Sequence, residues 1–211
     1  MNLKIFASDL RFLWYALFHP FNGFYELRFR RNRNWLLIAG IYALCGIVKI
    51  ISTHYTGFIV SGGESRYGVN NWYVFFTALF PYLLFAVANW SVTTLFNGNG
   101  SFSDVLMVLA YAMIPRLFMA VVYIIASNFV TSEELVLLNA LYIIGIILFC
   151  FLVFAGLCVV HEYSARETIA TLVATAAAAV VIMFIGMVYL EIMGKVIGFV
   201  TTVAAELMKR G

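Results

Sequence analysis

Residues 89–115 read Asn-Trp-Ser-Val-Thr-Thr-Leu-Phe-Asn-Gly-Asn-Gly-Ser-Phe-Ser-Asp-Val-Leu-Met-Val-Leu-Ala-Tyr-Ala-Met-Ile-Pro. Two strongly apolar runs meet here through one short polar turn. Asn97-Gly98-Asn99-Gly100 supplies residues that tolerate positive backbone torsions, as a sharp helix-to-helix reversal requires. Ser101 or Ser103 stands where it can cap the returning helix. Asp104 falls in the first turn of that helix, where the dipole favours a negative charge. The stretch predicts a helical hairpin, and on its return arm Pro115 predicts a kink, because proline has no N–H for the carbonyl of Tyr111.

The rest of the chain sets that hairpin in a membrane. Of 211 residues 64% are hydrophobic and 11% charged, against about 25% charged in a soluble domain; the mean hydropathy is +0.98. Five apolar runs, approximately 35–53, 72–95, 105–127, 135–160 and 168–190, reach the ~20 helical residues that cross a hydrocarbon core. Helices are the expected form, since an open sheet leaves backbone amides unpaired in lipid and the runs lack the alternation of a membrane barrel. The fold class is therefore an all-α integral membrane bundle of five spans. It divides into a basic, amphipathic arm over residues 1–34, the membrane domain over 35–190, and an amphipathic segment over 191–211.

Charge placement orients the bundle. Lys4, Arg11, Arg28, Arg30, Arg31 and Arg33 outnumber Asp9 and Glu26 before the first span, so the N-terminus is expected in the cytoplasm. The links at 97–103 and 161–167 then face the cytoplasm and the C-terminus lies outside. Arg66, Lys195, Lys209 and Arg210 also fall outside on this reading, so the arginine cluster carries it. Arg28, Arg30, Arg31 and Arg33 are expected to contact the lipid surface, at about 1 kcal/mol per residue. No cleavable signal peptide is evident: the early apolar run over 12–18 is interrupted by His19 and Pro20 and has no small-residue cleavage site.

Leu3, Phe6, Leu10, Leu13 and Leu17 recur at alternating spacings of three and four, which predicts an amphipathic helix lying in the interface, with Trp14 and Tyr15 as anchors. Pro20 and the turn signal Asn22-Gly23 are expected to break the chain after it. At the other end Ile192, Val196, Phe199, Val200, Val203 and Leu207 form a broad apolar side, and Glu191 pairs with Lys195 one turn later. This segment is either an interfacial helix or an extension of the fifth span.

Few residues carry candidate chemistry. Asn89 is placed to bond a neighbouring helix or to touch a ligand, and Trp90 to anchor at an interface. Arg116 lies near mid-span, where a charge costs ~3 kcal/mol, so it should face the bundle interior or reach toward water; a functional and a snorkelling role both stand. Lys49 is close enough to the end of its span to snorkel. Glu162, Arg166 and Glu167 sit in a link beside the 97–103 turn, as a solvated loop or as one polar surface formed by both links. Ala170, Ala174 and Ala178 make a small-residue face for bundle packing or self-association, and Gly194 and Gly198 repeat the pattern further on. His161 is followed by Glu162 but by no second histidine at one-turn spacing, and Cys45, Cys150 and Cys158 lie inside apolar runs, so neither a metal nor a disulfide framework is expected. There is no nucleophile elbow, no paired intramembrane carboxylate and no phosphate loop; an enzyme, a cofactor or a nucleic-acid partner is not expected.

Asn89-Trp90, Thr93-Thr94-Leu95, residues 98–102 and Tyr111-Ala112-Met113-Ile114-Pro115 resemble the central pattern of the YIP (Ypt/Rab-interacting protein) membrane domain. His19-Pro20 with Gly23-Phe24 and Glu26 resembles the segment before the first span in its short prokaryotic members. The resemblance implies a five-span helical domain with a cytoplasmic N-terminus. In eukaryotic members it implies vesicle traffic through small GTPases, whereas some prokaryotic members look like accessory components of transport systems. Two functions follow as expectations. The first is a non-enzymatic scaffold or accessory subunit of a membrane complex, most simply in a bacterial cytoplasmic membrane. The alternative is a small permease or channel-like component with a polar site around Asn89, Pro115 and Arg116. The candidate interaction or polar site comprises Asn89, Trp90, Asn97, Gly98, Gly100, Tyr111, Pro115 and Arg116.

Overall fold

The structure is a computed structural model describing residues 3–30, 34–61, 68–96 and 98–210. Arg31, Arg33, Arg66 and Asn97 lie outside the described residues, as do the side chains of Leu3, Phe6, Leu10 and Leu207. All elements among the described residues are helical: α1 (Leu3–Phe18), α2 (Pro20–Phe29), α3 (Trp35–Tyr55), α4 (Phe58–Ser61), α5 (Asn71–Leu95), α6 (Phe102–Ala126), α7 (Leu135–His161) and α8 (Ala165–Arg210). Five of them, α3, α5, α6, α7 and α8, are long and apolar enough to cross a membrane.

Local chemistry fixes where these helices begin. Asn34 accepts the Leu37 amide at 3.2 Å to open α3, and Asn70 accepts the amides of Trp72 and Tyr73 at 3.0 and 3.3 Å to open α5. Ser101 opens α6 with a reciprocal capping box. The Ser101 hydroxyl accepts the Asp104 amide at 3.3 Å, and the Asp104 carboxylate accepts the Ser101 amide at 2.8 Å. Ser101, rather than Ser103, is thus the cap.

α6 is the central helix. Val105, Val108, Ala110, Ala112 and Met113 are fully buried, and α3, α5 and α7 pack around them. Membrane helices approach closely where side chains are small, and α7 meets α6 at glycines. A Cβ on Gly156 would stand 2.5 Å from Val108 Cγ1, and one on Gly145 2.8 Å from Met119 Cβ. The helical run of α6 continues through Pro115.

The N-terminal arm belongs to this core. Phe12, Leu13 and Ala16 of α1 are buried in the main cluster, as are Phe24 and Leu27 of α2, while Trp14 and Phe18 remain exposed. Pro20 starts α2 at a position that needs no N–H. Asn22-Gly23 is not the expected turn but lies inside α2. Gly23 is there because α1 leaves no room: a Cβ would stand 2.6 Å from Ala16 Cα.

α8 differs from the other spans. Its 46 residues extend about 69 Å at 1.5 Å each, so the chain past Glu191 extends the fifth helix without a break. Thr168, Thr171 and Thr175 are buried where α8 packs on α5. Beyond Ala179 no described residue of α8 is buried. In the most apolar stretch of α8 11% of residues are buried, against 44% in α6 and in α7.

Candidate functional site

The α5–α6 turn and the α7–α8 link lie together at one end of the bundle, here called the hairpin end. His161, the last residue of α7, is 2% exposed and Asn89 of α5 is 1% exposed. The Gly100 amide donates to His161 Nδ1 at 3.3 Å, so that nitrogen is an acceptor. Nε2 must then carry the proton, and it lies 3.2 Å from Asn89 Oδ1. Asn89 Nδ2 donates to Thr175 Oγ1 at 3.1 Å, and Thr175 donates to the Thr171 carbonyl at 2.6 Å. The result is one directional chain of hydrogen bonds from the turn, through α7 and α5, into α8. Thr93, fully buried one turn after Asn89, returns its hydroxyl to the Asn89 carbonyl at 2.8 Å.

This contact, not backbone torsion, explains the turn glycines. Among the described residues positive φ occurs at Gly68 and Glu162, and neither Gly98 nor Gly100 has it. A Cβ on Gly100 would meet Val160 Cγ1 at 2.6 Å and His161 Cε1 at 2.7 Å. On Gly98 it would meet Tyr163 Oη at 2.6 Å and His161 Nδ1 at 2.8 Å. The expectation that the turn needs residues tolerant of positive torsions is therefore corrected at these two positions: glycine is required because the imidazole packs directly on the backbone.

The link after α7 closes over the same point. Glu162 ends the helix in the left-handed region at φ 57, which a non-glycine residue enters only at a cost. Tyr163 then stacks on His161, with ring centroids 5.3 Å apart, and donates its hydroxyl to the Phe96 carbonyl at 3.1 Å. Burial, and then the charge of Glu167, push the Tyr163 hydroxyl above its ordinary pKa, which keeps it a donor. Ser164 and Glu167 open α8 with a second capping box: the Ser164 amide donates to Glu167 at 2.7 Å and the Glu167 amide to Ser164 Oγ at 3.4 Å.

Arg28 joins the N-terminal arm to this assembly. Its side chain is 10% exposed and its guanidinium donates to the carbonyls of Val160, of Val159 at 3.3 Å and of Asn99 at 3.0 Å. A cation on the last carbonyls of α7 satisfies orphan acceptors and opposes the helix dipole. It also pairs with Glu162 at 3.3 Å. Arg30 is exposed and lies over the Tyr25 ring at 5.9 Å.

The remaining candidates are dispersed. Trp90 is 43% exposed and meets Phe102 edge to face at 6.0 Å. Tyr111 is buried within α6. Ala170 is exposed, and Ala174 and Ala178 are half-buried, beside the threonine face that packs on α5. Arg116 does not meet Asn89. It donates to the Tyr82 hydroxyl and lies 5.7 and 5.9 Å from the Tyr82 and Phe149 ring centroids. Tyr82 and Asn89 are seven positions apart on α5, about 10 Å along the axis, so the polar site expected around Asn89, Pro115 and Arg116 divides into two places.

Sequence reasoning missed His161, Tyr163, Thr175 and Tyr82. One legible signal was present for the first: a histidine ending an apolar run, with a Gly-x-Gly turn between two other spans. The partner on α8 left no such trace, because Thr175 is one small residue among many.

The sequence model of the Yip1 domain matches residues 14–189. No curated protein and no solved structure matches the chain. The matched region takes in the hairpin, its glycine turn and four complete spans with most of the membrane portion of α8, and the chain belongs to the Yip1 domain family.

Proposed function

We propose that this protein is a non-enzymatic multi-pass scaffold or accessory subunit of a membrane complex, acting in a bacterial cytoplasmic membrane with the hairpin end facing the cytoplasm. The basic residues Arg28 and Arg30 at that end support the orientation, by the excess of positive charge on cytoplasmic segments. The closed hydrogen-bond chain through His161 and Asn89 supports a structural use of the buried polar groups, since each is engaged by another part of the fold.

The observation that carries the proposal is the contrast between α8 and the rest of the bundle. α8 is anchored at its start by Thr168, Thr171 and Thr175, and beyond Ala179 none of its described residues is buried. Its small face, Ala170, Ala174 and Ala178, continues into Val181 and Ile185 at helical spacing. Such a face suits a second membrane helix, from a partner subunit or another copy of this chain.

Photo-crosslinking residues at Ala178, Val181 and Ile185 test it in native membranes, with Phe76 and Phe80 on the exposed side of α5 as controls. A discrete protein adduct from the α8 positions and lipid adducts alone from the controls is the expected result. Lipid adducts alone from every α8 position would remove the scaffold reading.

A further inference from the structure

The half of the bundle away from the hairpin end contains a cavity of about 900 Å³ between α3, α5, α6 and α7. That volume is at the upper end of the ~300–1,000 Å³ typical of small-molecule sites. α5 and α7 meet through Asn89 and His161 at the hairpin end and through the Tyr82 and Phe149 rings, and residues of both line the cavity. Both arms carry an internal proline at this depth, Pro81 beside Tyr82 and Pro115 beside Arg116.

Among the described residues its charged lining is of one sign: Arg116 and Lys49 line it, with no aspartate or glutamate. Lys49 follows Cys45 by one turn on the same face of α3, and both line the cavity. Arg116 is held by the Tyr82 hydroxyl and flanked by the Tyr82 and Phe149 rings. Its fork has five N–H groups, and a single hydrogen-bond partner, Tyr82, is found for it among the described residues. A guanidinium at this depth, fixed in position with no carboxylate on it among the described residues, is suited to an anion such as a phosphodiester that offers two oxygens to its planar fork. The remaining walls are chiefly hydrocarbon and aromatic, including Val48, Leu109, Met113, Leu117 and Phe85. A small hydrophilic anion would leave those walls unmatched; an anion carrying a hydrocarbon chain matches both.

We propose that this cavity binds one anionic lipid, its phosphate on Arg116 of α6 with Lys49 contributing from α3, and an acyl chain along the apolar walls. The site is separate from the hairpin network and from the bare face of α8, so it stands independently of the scaffold reading.

The test uses the full-length protein in nanodiscs of equimolar phosphatidylcholine and phosphatidylglycerol, extracted into mild detergent and weighed by native mass spectrometry. The expected result is one retained phosphatidylglycerol in preference to phosphatidylcholine. Arg116→Gln should lower that retention about tenfold, the scale of one lost charge-assisted contact, and Arg116→Lys should restore most of it. Ala120→Trp fills the cavity one turn from Arg116 and leaves the cation in place. It should also abolish retention, and it carries the test if Arg116→Gln fails to fold. Equal retention of the two lipids by the parent protein, or unchanged phosphatidylglycerol retention in a folded Arg116→Gln or Ala120→Trp, would overturn the proposal. A parallel arm adds inorganic phosphate: failure to displace the lipid supports the site as a lipid site. Displacement at concentrations equal to those of the lipid would assign it to a free anion and overturn the lipid assignment.

Discussion

At the hairpin end both ring nitrogens of His161 and both polar atoms of the Asn89 side chain have partners inside the fold, whereas about 10 Å along α5 the Arg116 guanidinium has one hydrogen bond among the described residues and an open cavity beside it. Both regions place polar groups among apolar helices. They differ in whether those groups answer one another. Where donors and acceptors form a complete chain, the polar residues determine which helices meet and in what register. Where one charge is fixed in place and only partly matched, the fold presents it to something else. The same rule, that polar groups inside a membrane need partners, thus yields a lock in one place and a site in the other.

The comparison breaks most readily at the turn. Gly100→Ala places a methyl against Val160 and the His161 ring. Overpacking of this kind costs about 1–3 kcal/mol, and with the imidazole displaced the hydrogen-bond chain also opens, so a loss near 3 kcal/mol is expected. Thermal unfolding in a fixed detergent should report it; a stability equal to that of the parent would show that the turn does not bear on His161. Arg28→Gln comes next, at about 2 kcal/mol, because the carbonyls of Val159 and Val160 lose a charged donor. Limited proteolysis between α2 and α3 should accelerate in that variant if the arm is held by this residue. Asn89→Leu and His161→Leu should each cost about 1–2 kcal/mol, in the range for buried and interhelical hydrogen bonds. Their double variant should lose less than the sum, by about 1 kcal/mol, since the bond between them is counted in both. Strict additivity would mean that the chain is not a unit.

The fold was legible where apolar length alone decides it. Five runs and one capped hairpin follow from hydropathy and from Ser101 or Ser103 with Asp104; the first four helices begin and end near the expected positions, whereas the fifth runs on to Arg210. Contacts between distant segments were not. Asn22-Gly23 carries the composition of a turn, but it serves a close approach to Ala16; Gly98 and Gly100 likewise reflect what packs on them rather than the torsions they adopt. A glycine in a sequence states that something is close or that the backbone is unusual, and only tertiary structure separates the two. Arg28 shows the same limit for charge. Within a basic cluster it is indistinguishable from Arg30, yet it is the one carried onto the end of α7, because α2 packs against that helix.

The smallest effect on stability is expected at Arg116, and it sharpens the contrast most. Replacing it by glutamine removes the bond to Tyr82 and two cation–π contacts worth about 0.5–2 kcal/mol each. It also removes a charge whose placement inside the membrane costs about 3 kcal/mol. The terms nearly cancel, so Arg116→Gln should unfold within about 1 kcal/mol of the parent protein, and Tyr82→Phe, which keeps both ring contacts, should differ less still. A loss as large as that of Arg28→Gln would make Arg116 part of the scaffold's internal bonding. Near-neutral stability means instead that the fold does not depend on this charge, and a charge that the fold does not need, held in place at a cavity, has its partner outside the chain.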